Sequence, residues 1–312
     1  MSSPSHRALS FAKETLVTKA SRTALPLVPI FILLLFWSSA ALAQETAHTL
    51  TGEFRYHKNF HSAFLPASDR DLIVYLPPGY ERDAQRRYPV LYLHDGQNLF
   101  DGATSFIKGQ EWRIDETAEA LIRAGQIEPL IIVGIYNTKE RIDEYTPARD
   151  PKYKMGGRAD LYGRLLVEEV KPFIDSHYRT LKDARHTGLG GSSLGGLVTL
   201  YLGLKYPRVF TRLAVVSPSV WFANRDILRD VLTLKTKPSL RIWVDIGTSE
   251  GGDEVEALQT RDDARLLRDA LVAKGWREGS DLSYAEAEGA KHNEAAWAAR
   301  VEPMLKFLFP KR

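Results

Sequence analysis

Two short runs without a polar interruption, Pro89–Leu93 (PVLYL) and Pro129–Ile135 (PLIIVGI), set the tightest limit on the fold. A strand that is apolar at every position is covered on both faces, and such strands belong inside a parallel sheet with helices on either side. The surrounding pattern agrees. Leu50–Tyr56 and Asp71–Tyr75 read as half-exposed antiparallel strands, the second stopped by Pro77-Pro78. Beyond them, strands Pro129–Ile135, His186–Gly191, Leu213–Ser217, Leu240–Ile246 and Leu282–Glu288 alternate with predicted helices. The helices are Ile114–Ala124, Ala159–Tyr178, Leu194–Tyr206, Asp226–Leu234, Val255–Lys274 and Glu294–Leu308. The expected class is α/β, a mostly parallel central sheet with antiparallel N-terminal strands and helices on both faces. No repeat or linker-like tract interrupts residues 44–312, which predicts a single domain there. In such sheets ligands bind at the carboxyl ends of the strands, so chemistry is sought just past each strand.

Residues 1–43 read as a secretory signal peptide and not as fold. A basic stretch to Arg22 precedes the apolar run Ala24–Trp37, and Ala41-Leu42-Ala43 ends it with a small-x-small cleavage signature. The run is shorter than the roughly 18 residues that span a bilayer, and Pro26 and Pro29 interrupt it. Export to the periplasm or the medium is expected, with no stable membrane insertion after cleavage; the alternative is an uncleaved anchor. The leader carries Arg7, Lys13, Lys19 and Arg22 against Glu14. It therefore holds the whole net charge of +3, and the 38 basic and 38 acidic residues that follow balance. A neutral body has no electrostatic footprint for nucleic acid or an anionic membrane. With no cysteine in the chain, disulfides, thiolate catalysis and cysteine-ligated metal are excluded.

The sharpest local signal is Gly190-Gly191-Ser192-Ser193-Leu194-Gly195-Gly196, between a predicted strand and a predicted helix. Gly191-x-Ser193-x-Gly195 fits the G-x-S-x-G turn that exposes a nucleophilic serine, whereas Ser192 has Leu194 where the second glycine is needed. A serine needs a general base held by a carboxylate, in the chain order Ser, acid, His. His292 is the one histidine after Ser193 and sits between the last strand and the last helix. For the acid, Glu250 stands first in the glycine-rich loop after Leu240–Ile246; Asp253 is the runner-up, and Asp245 lies inside the strand. Asp253 also suits a helix cap. The oxyanion needs two N–H donors, here those of Leu194 and of Gln97 in the loop after Pro89–Leu93. His94 and Asp95 precede the serine and read as loop-fixing residues. Trp221, Asn137 and Arg141 are the substrate-binding candidates, with Tyr136, Phe222 and Trp297 nearby; Trp297 on the last helix reads as core. No H-E-x-x-H or H-x-H motif occurs, and His57 and His61 fall in an apparent β-edge loop without carboxylates, so no metal or cofactor is expected.

These residues carry a family resemblance. VYLPPGY (Val74–Tyr80), YPVLYLHDGQNLFD (Tyr88–Asp101), EWRIDETAEALI (Glu111–Ile122) and VGIYNTKERIDEYTP (Val133–Pro147) resemble the esterase-D-like esterases of the α/β-hydrolase fold. So do GLGGSSLGGLVTLYLGLKYP (Gly188–Pro207), VSPSVWF (Val216–Phe222), DIGTSEG (Asp245–Gly251) and GAKHNEAAWAARV (Gly289–Val301). The family includes enterochelin esterases, feruloyl esterases, S-formylglutathione hydrolases and mycolyltransferases. The resemblance implies nucleophile Ser193, base His292, the acid at Glu250 after its G-T-x-[DE] segment, and an oxyanion donor from the HDGQN loop. It implies a serine carboxylic-ester hydrolase for a small-molecule ester met outside the cytoplasm, siderophore-type or an acyl-carbohydrate or phenolic ester. Acyl transfer to an alcohol acceptor and, less favoured, a non-catalytic binding protein remain the alternatives.

Overall fold

The computed structural model describes residues 47–311, so the predicted leader lies outside the described residues. Eight strands form one sheet: β1 (Glu53–Phe60), β2 (Arg70–Leu76), β3 (Val90–His94), β4 (Ile131–Ile135), β5 (Thr187–Ser192), β6 (Arg212–Val216), β7 (Arg241–Gly247) and β8 (Leu282–Ala287). Their order is β1-β2-β4-β3-β5-β6-β7-β8. β1 and β2 run antiparallel to their neighbours and the other six strands are parallel. The two uninterrupted apolar runs become β3 and β4, buried at every position and paired with each other, β3 between β4 and β5.

Side chains alternate across the pleat, so each strand feeds two cores. Val90, Tyr92, Ile131, Val133, Leu213, Val215, Ile242 and Val244 point to one face. There they meet α3 (Ala159–Arg164), α4 (Lys171–His177), α5 (Leu194–Lys205), α6 (Phe222–Leu232) and α7 (Glu254–Ala273). Leu91, Leu93, Ile132, Ala214, Val216 and Trp243 point to the other face, against α1 (Ile114–Arg123) and α8 (Glu294–Leu308). A short α2 (Arg141–Glu144) follows β4. Among the described residues no helix is long and apolar enough to cross a membrane.

Several expectations need correcting. The predicted helix 159–178 contains a π-helical turn, Leu165–Val170, between α3 and α4. The right-handed part of α6 begins at Asp226, as periodicity indicated, and Ala223, Asn224 and Arg225 stand before it in left-handed conformation. β1 is displaced toward Phe60, so His57 lies within this edge strand, 2.6 Å from the Tyr178 hydroxyl. His61 has a carboxylate partner after all, Asp69 at 2.8 Å.

Candidate active site

The carboxyl ends of β3, β5 and β6 share one peculiarity. The residue immediately after each strand is a non-glycine with positive φ: Asp95 (59°), Ser193 (60°) and Ser217 (41°). Such conformations are held only where the surroundings over-determine them, and they concentrate at functional sites. Ser193 is pinned by its N–H, which donates to Val216 O (3.1 Å), and by its carbonyl, which accepts from Ser219 N (3.0 Å) and Leu197 N (3.1 Å). The glycines around it work unequally. A Cβ on Gly191 would stand 3.0 Å from His94 and one on Gly196 would stand 2.8 Å from Val216 O, whereas one on Gly195 would meet nothing closer than 3.4 Å. The tight approach therefore rests on Gly191 and Gly196, not on the second glycine of the motif.

From the ends of β7 and β8, two loops bring Glu250 and His292 together. His292 Nδ1 lies 2.7 Å from Glu250 Oε2, so its N–H donates to the carboxylate and Nε2 is left with its lone pair. His292 immediately precedes Asn293, whose side chain caps α8 by accepting from Ala296 N (2.9 Å). Asp253 takes the capping role foreseen for it, accepting from Glu256 N at the start of α7 (2.9 Å). Ser193 Oγ makes its hydrogen bond with Ser219 Oγ (3.3 Å), and no hydrogen bond joins it to His292 in this structure. Such contacts commonly tighten only around a substrate.

Glu250 is buried in a network that sequence reasoning missed. Its Oε1 accepts from Ser217 Oγ (2.5 Å), Gly247 N (2.7 Å) and Arg300 Nη2 (3.4 Å). Ser217 Oγ in turn accepts from Trp297 Nε1 and Arg300 Nη2, both at 3.0 Å, which exhausts its one donor and two lone pairs. Arg300 also reaches Asp245 Oδ1 (3.1 Å). Burial is the largest influence on Glu250 and would raise its pKa, but hydrogen bonds from His292, Ser217 and Gly247 outweigh it and hold the carboxyl below its usual range. Asp245 goes the other way: burial pushes it up to about 6 against the pull of Arg300. Trp297 is more than core, since it also presents its ring edge-on to His292 at 5.0 Å. A charged residue three positions after Trp297, on the same face of an amphipathic helix, was the available signal for Arg300.

On the β3 side, Asp95 is clamped. Arg141 grips it with two bonds of 2.7 Å, and Asn137 Nδ2 donates to it at 2.6 Å. These two candidates for substrate binding are thus brought together on Asp95, with one Asn137 N–H and two Arg141 N–H groups spent on the loop. His94 is fully buried with Nδ1 2.9 Å from the Tyr162 hydroxyl, and burial lowers it to about 3, so the ring is neutral. The clamped loop turns through Gly96–Asn98, where a Cβ on Gly96 would lie 2.7 Å from the Gly134 carbonyl carbon. Neither the Gln97 N–H nor the Leu194 N–H has a hydrogen-bond partner among the described residues. Trp221 is 39% exposed and packs edge-on against Tyr153 (6.2 Å), while Phe222 is core. A strained serine, a carboxylate-paired histidine and two unpaired backbone N–H groups thus stand at the carboxyl ends of the strands.

The family model described as "Putative esterase" matches residues 64–308. The chain belongs to this esterase family. It is therefore an esterase, an enzyme that hydrolyses carboxylic esters. Among curated relatives it is 27% identical over 252 residues to the Bacillus subtilis protein YbbA, covering 78% of this chain and 94% of the relative. It is 27% identical to an endo-1,4-beta-xylanase/feruloyl esterase of Xylanibacter ruminicola (76% and 29% covered). It is also 27% identical to the ferri-bacillibactin esterase BesA of Bacillus subtilis (66% and 73%). An IroE-like serine hydrolase from Shewanella oneidensis superposes with a TM-score of 0.66 at 23% identity, covering 82% of this chain and 80% of that one, and shares the fold.

Proposed function

We propose that this esterase works through a covalent acyl-enzyme on Ser193, with His292 as general base and Glu250 as the acid that orients it. The observation that carries the reading is the Glu250–His292 pair, 2.7 Å long, on loops that end at the same sheet edge as the strained Ser193. His292 Nε2 takes the proton of Ser193 as Oγ attacks the ester carbonyl. The N–H groups of Gln97 and Leu194 receive the oxyanion, the alcohol leaves with the proton from His292, and a water activated by His292 then releases the acid. No step calls for a metal or cofactor.

The substrate class we propose is a small extracytoplasmic ester, siderophore-type or an acyl-carbohydrate or phenolic ester, reached after export through a leader ending at Ala43. The names of BesA and of the feruloyl esterase relative support that class, and the half-exposed Trp221 beside Tyr153 offers an aromatic contact for it. Hydrolysis of p-nitrophenyl acetate and butyrate by wild type and Ser193→Ala tests the mechanism. Wild-type turnover that vanishes in the variant is expected, and equal rates would refute it. N-terminal sequencing of the exported protein is expected to begin at Gln44.

A further inference from the structure

Among the described residues, one group of three acids lies close enough to share an ion: Glu111, Asp115 and Glu116, with one oxygen from each within 4.8 Å of the others. They sit on the approach to α1 and in its first turn. Glu111 is 5% exposed and Asp115 is fully buried. One oxygen of each acid has a donor. Thr49 Oγ1 donates to Glu111 Oε1, Thr51 N to Asp115 Oδ2 at 2.6 Å, and Arg113 Nε to Glu116 Oε1 at 3.3 Å. The other three oxygens, Glu111 Oε2, Asp115 Oδ1 and Glu116 Oε2, are buried and have no N–H or hydroxyl donor, and Asp115 and Glu116 can hydrogen-bond to each other only by sharing a proton. The nearby cation is weak compensation, because the Arg113 side chain is 65% exposed. Buried carboxylate oxygens without donors cost free energy that something has to offset.

We propose that Glu111, Asp115 and Glu116 bind a calcium ion. The donor set is all hard oxygen with no imidazole or thiolate, which suits an alkaline-earth cation and not a transition metal. Calcium–oxygen distances of about 2.3–2.6 Å allow two ligands to stand up to roughly 5 Å apart, as wide as this group; magnesium, at about 2.0–2.1 Å, needs them closer and keeps its waters. Water completes the shell from the side of Glu116, whose side chain is 22% exposed. The ion has a structural task. Two of its ligands hold Thr49 and Thr51, so occupancy fastens segment 48–51 to the domain. The ligand-bearing segment is also tied to the Gln97 loop, through Trp112 N to Asn98 O (2.9 Å) and Ile114 N to Leu99 O (3.3 Å).

A proton is the competing neutraliser, since without an ion burial and the neighbouring Glu116 push Asp115 up to about 8. The two are separated by titrating the EDTA-treated full-length protein with calcium, following melting temperature and terbium luminescence excited through tryptophan, with Trp112 next to Glu111. Expected are one displaceable terbium per chain, half-saturation by calcium between roughly 10⁻⁵ and 10⁻³ M, and a melting temperature higher by roughly 5 °C at saturation. Magnesium at equal concentration produces a small fraction of that shift. The responses disappear in Glu111→Gln/Asp115→Asn and persist in the surface control Glu302→Gln; should the double variant not fold, the wild-type EDTA and calcium arms carry the test alone. No calcium or terbium response of the wild type at millimolar concentration overturns the proposal, as does an equal response from the double variant. An equal response to magnesium overturns the choice of calcium.

Discussion

Two buried acid clusters among the described residues are resolved differently. Behind His292, both oxygens of Glu250 and both of Asp245 have donors: His292, Ser217, Gly247 and Arg300 for the first, Ser217 N (3.2 Å) and Trp243 Nε1 (2.6 Å) for the second, which Arg300 also pairs by charge. At the start of α1, three oxygens of Glu111, Asp115 and Glu116 have none. A buried carboxylate in a finished network is immobilised and can position something else, here an imidazole. One left without donors is completed by something the chain does not supply.

Breaking the finished cluster at its acid gives the largest effect. In the proposed mechanism Glu250→Gln removes the charge that orients and stabilises the His292 imidazolium, and kcat on p-nitrophenyl butyrate is expected to fall on the order of 10³–10⁴-fold. A loss under tenfold would mean that the orienting acid lies elsewhere. Arg300→Met comes next. It leaves two buried carboxylates without their shared cation, which costs about 3–5 kcal/mol of stability in urea unfolding, together with a fall in kcat at unchanged KM. Unchanged stability would reduce Arg300 to packing.

A pH series sharpens the comparison further. Asp245 titrates near 6 in the fold against an ordinary 3.8, so the folded state holds its proton more tightly than the unfolded chain does. The stability from that proton is full below pH 3.8 and is lost as pH rises through about 6, by up to about 3 kcal/mol. Urea unfolding at pH 4 and pH 7 measures the loss, and Asp245→Asn is expected to flatten it. The smallest effect belongs to Asn137→Ala, which removes one of the three side-chain bonds to the Asp95 carboxylate. A fall in kcat of a few fold with KM unchanged fits a loop clamp, whereas a raised KM would return Asn137 to the substrate.

The parallel core was legible because the runs 89–93 and 129–135 are apolar throughout and strands alternate with helices; the strand order was not. Ser193, Glu250 and His292 were nameable because motif and chain order depend on local sequence. Ser217 and Arg300 were not, since they meet across 83 positions and only the packed sheet brings α8 over the end of β6. Glu111, Asp115 and Glu116 look in sequence like ordinary acids favouring a helix N-terminus; their burial comes from segment 48–51 lying on them. The π turn after α3 and the left-handed opening of α6 carry no signal in hydrophobic period either.

The nucleophile is tested most directly by reacting the full-length protein with a fluorophosphonate and mapping the adduct by peptide mass spectrometry. A single phosphonylated residue, Ser193, with loss of esterase activity in proportion to labelling, is predicted. An adduct on Ser192 or Ser219, or labelling of Ser193→Ala to the same extent as wild type, would contradict the mechanism.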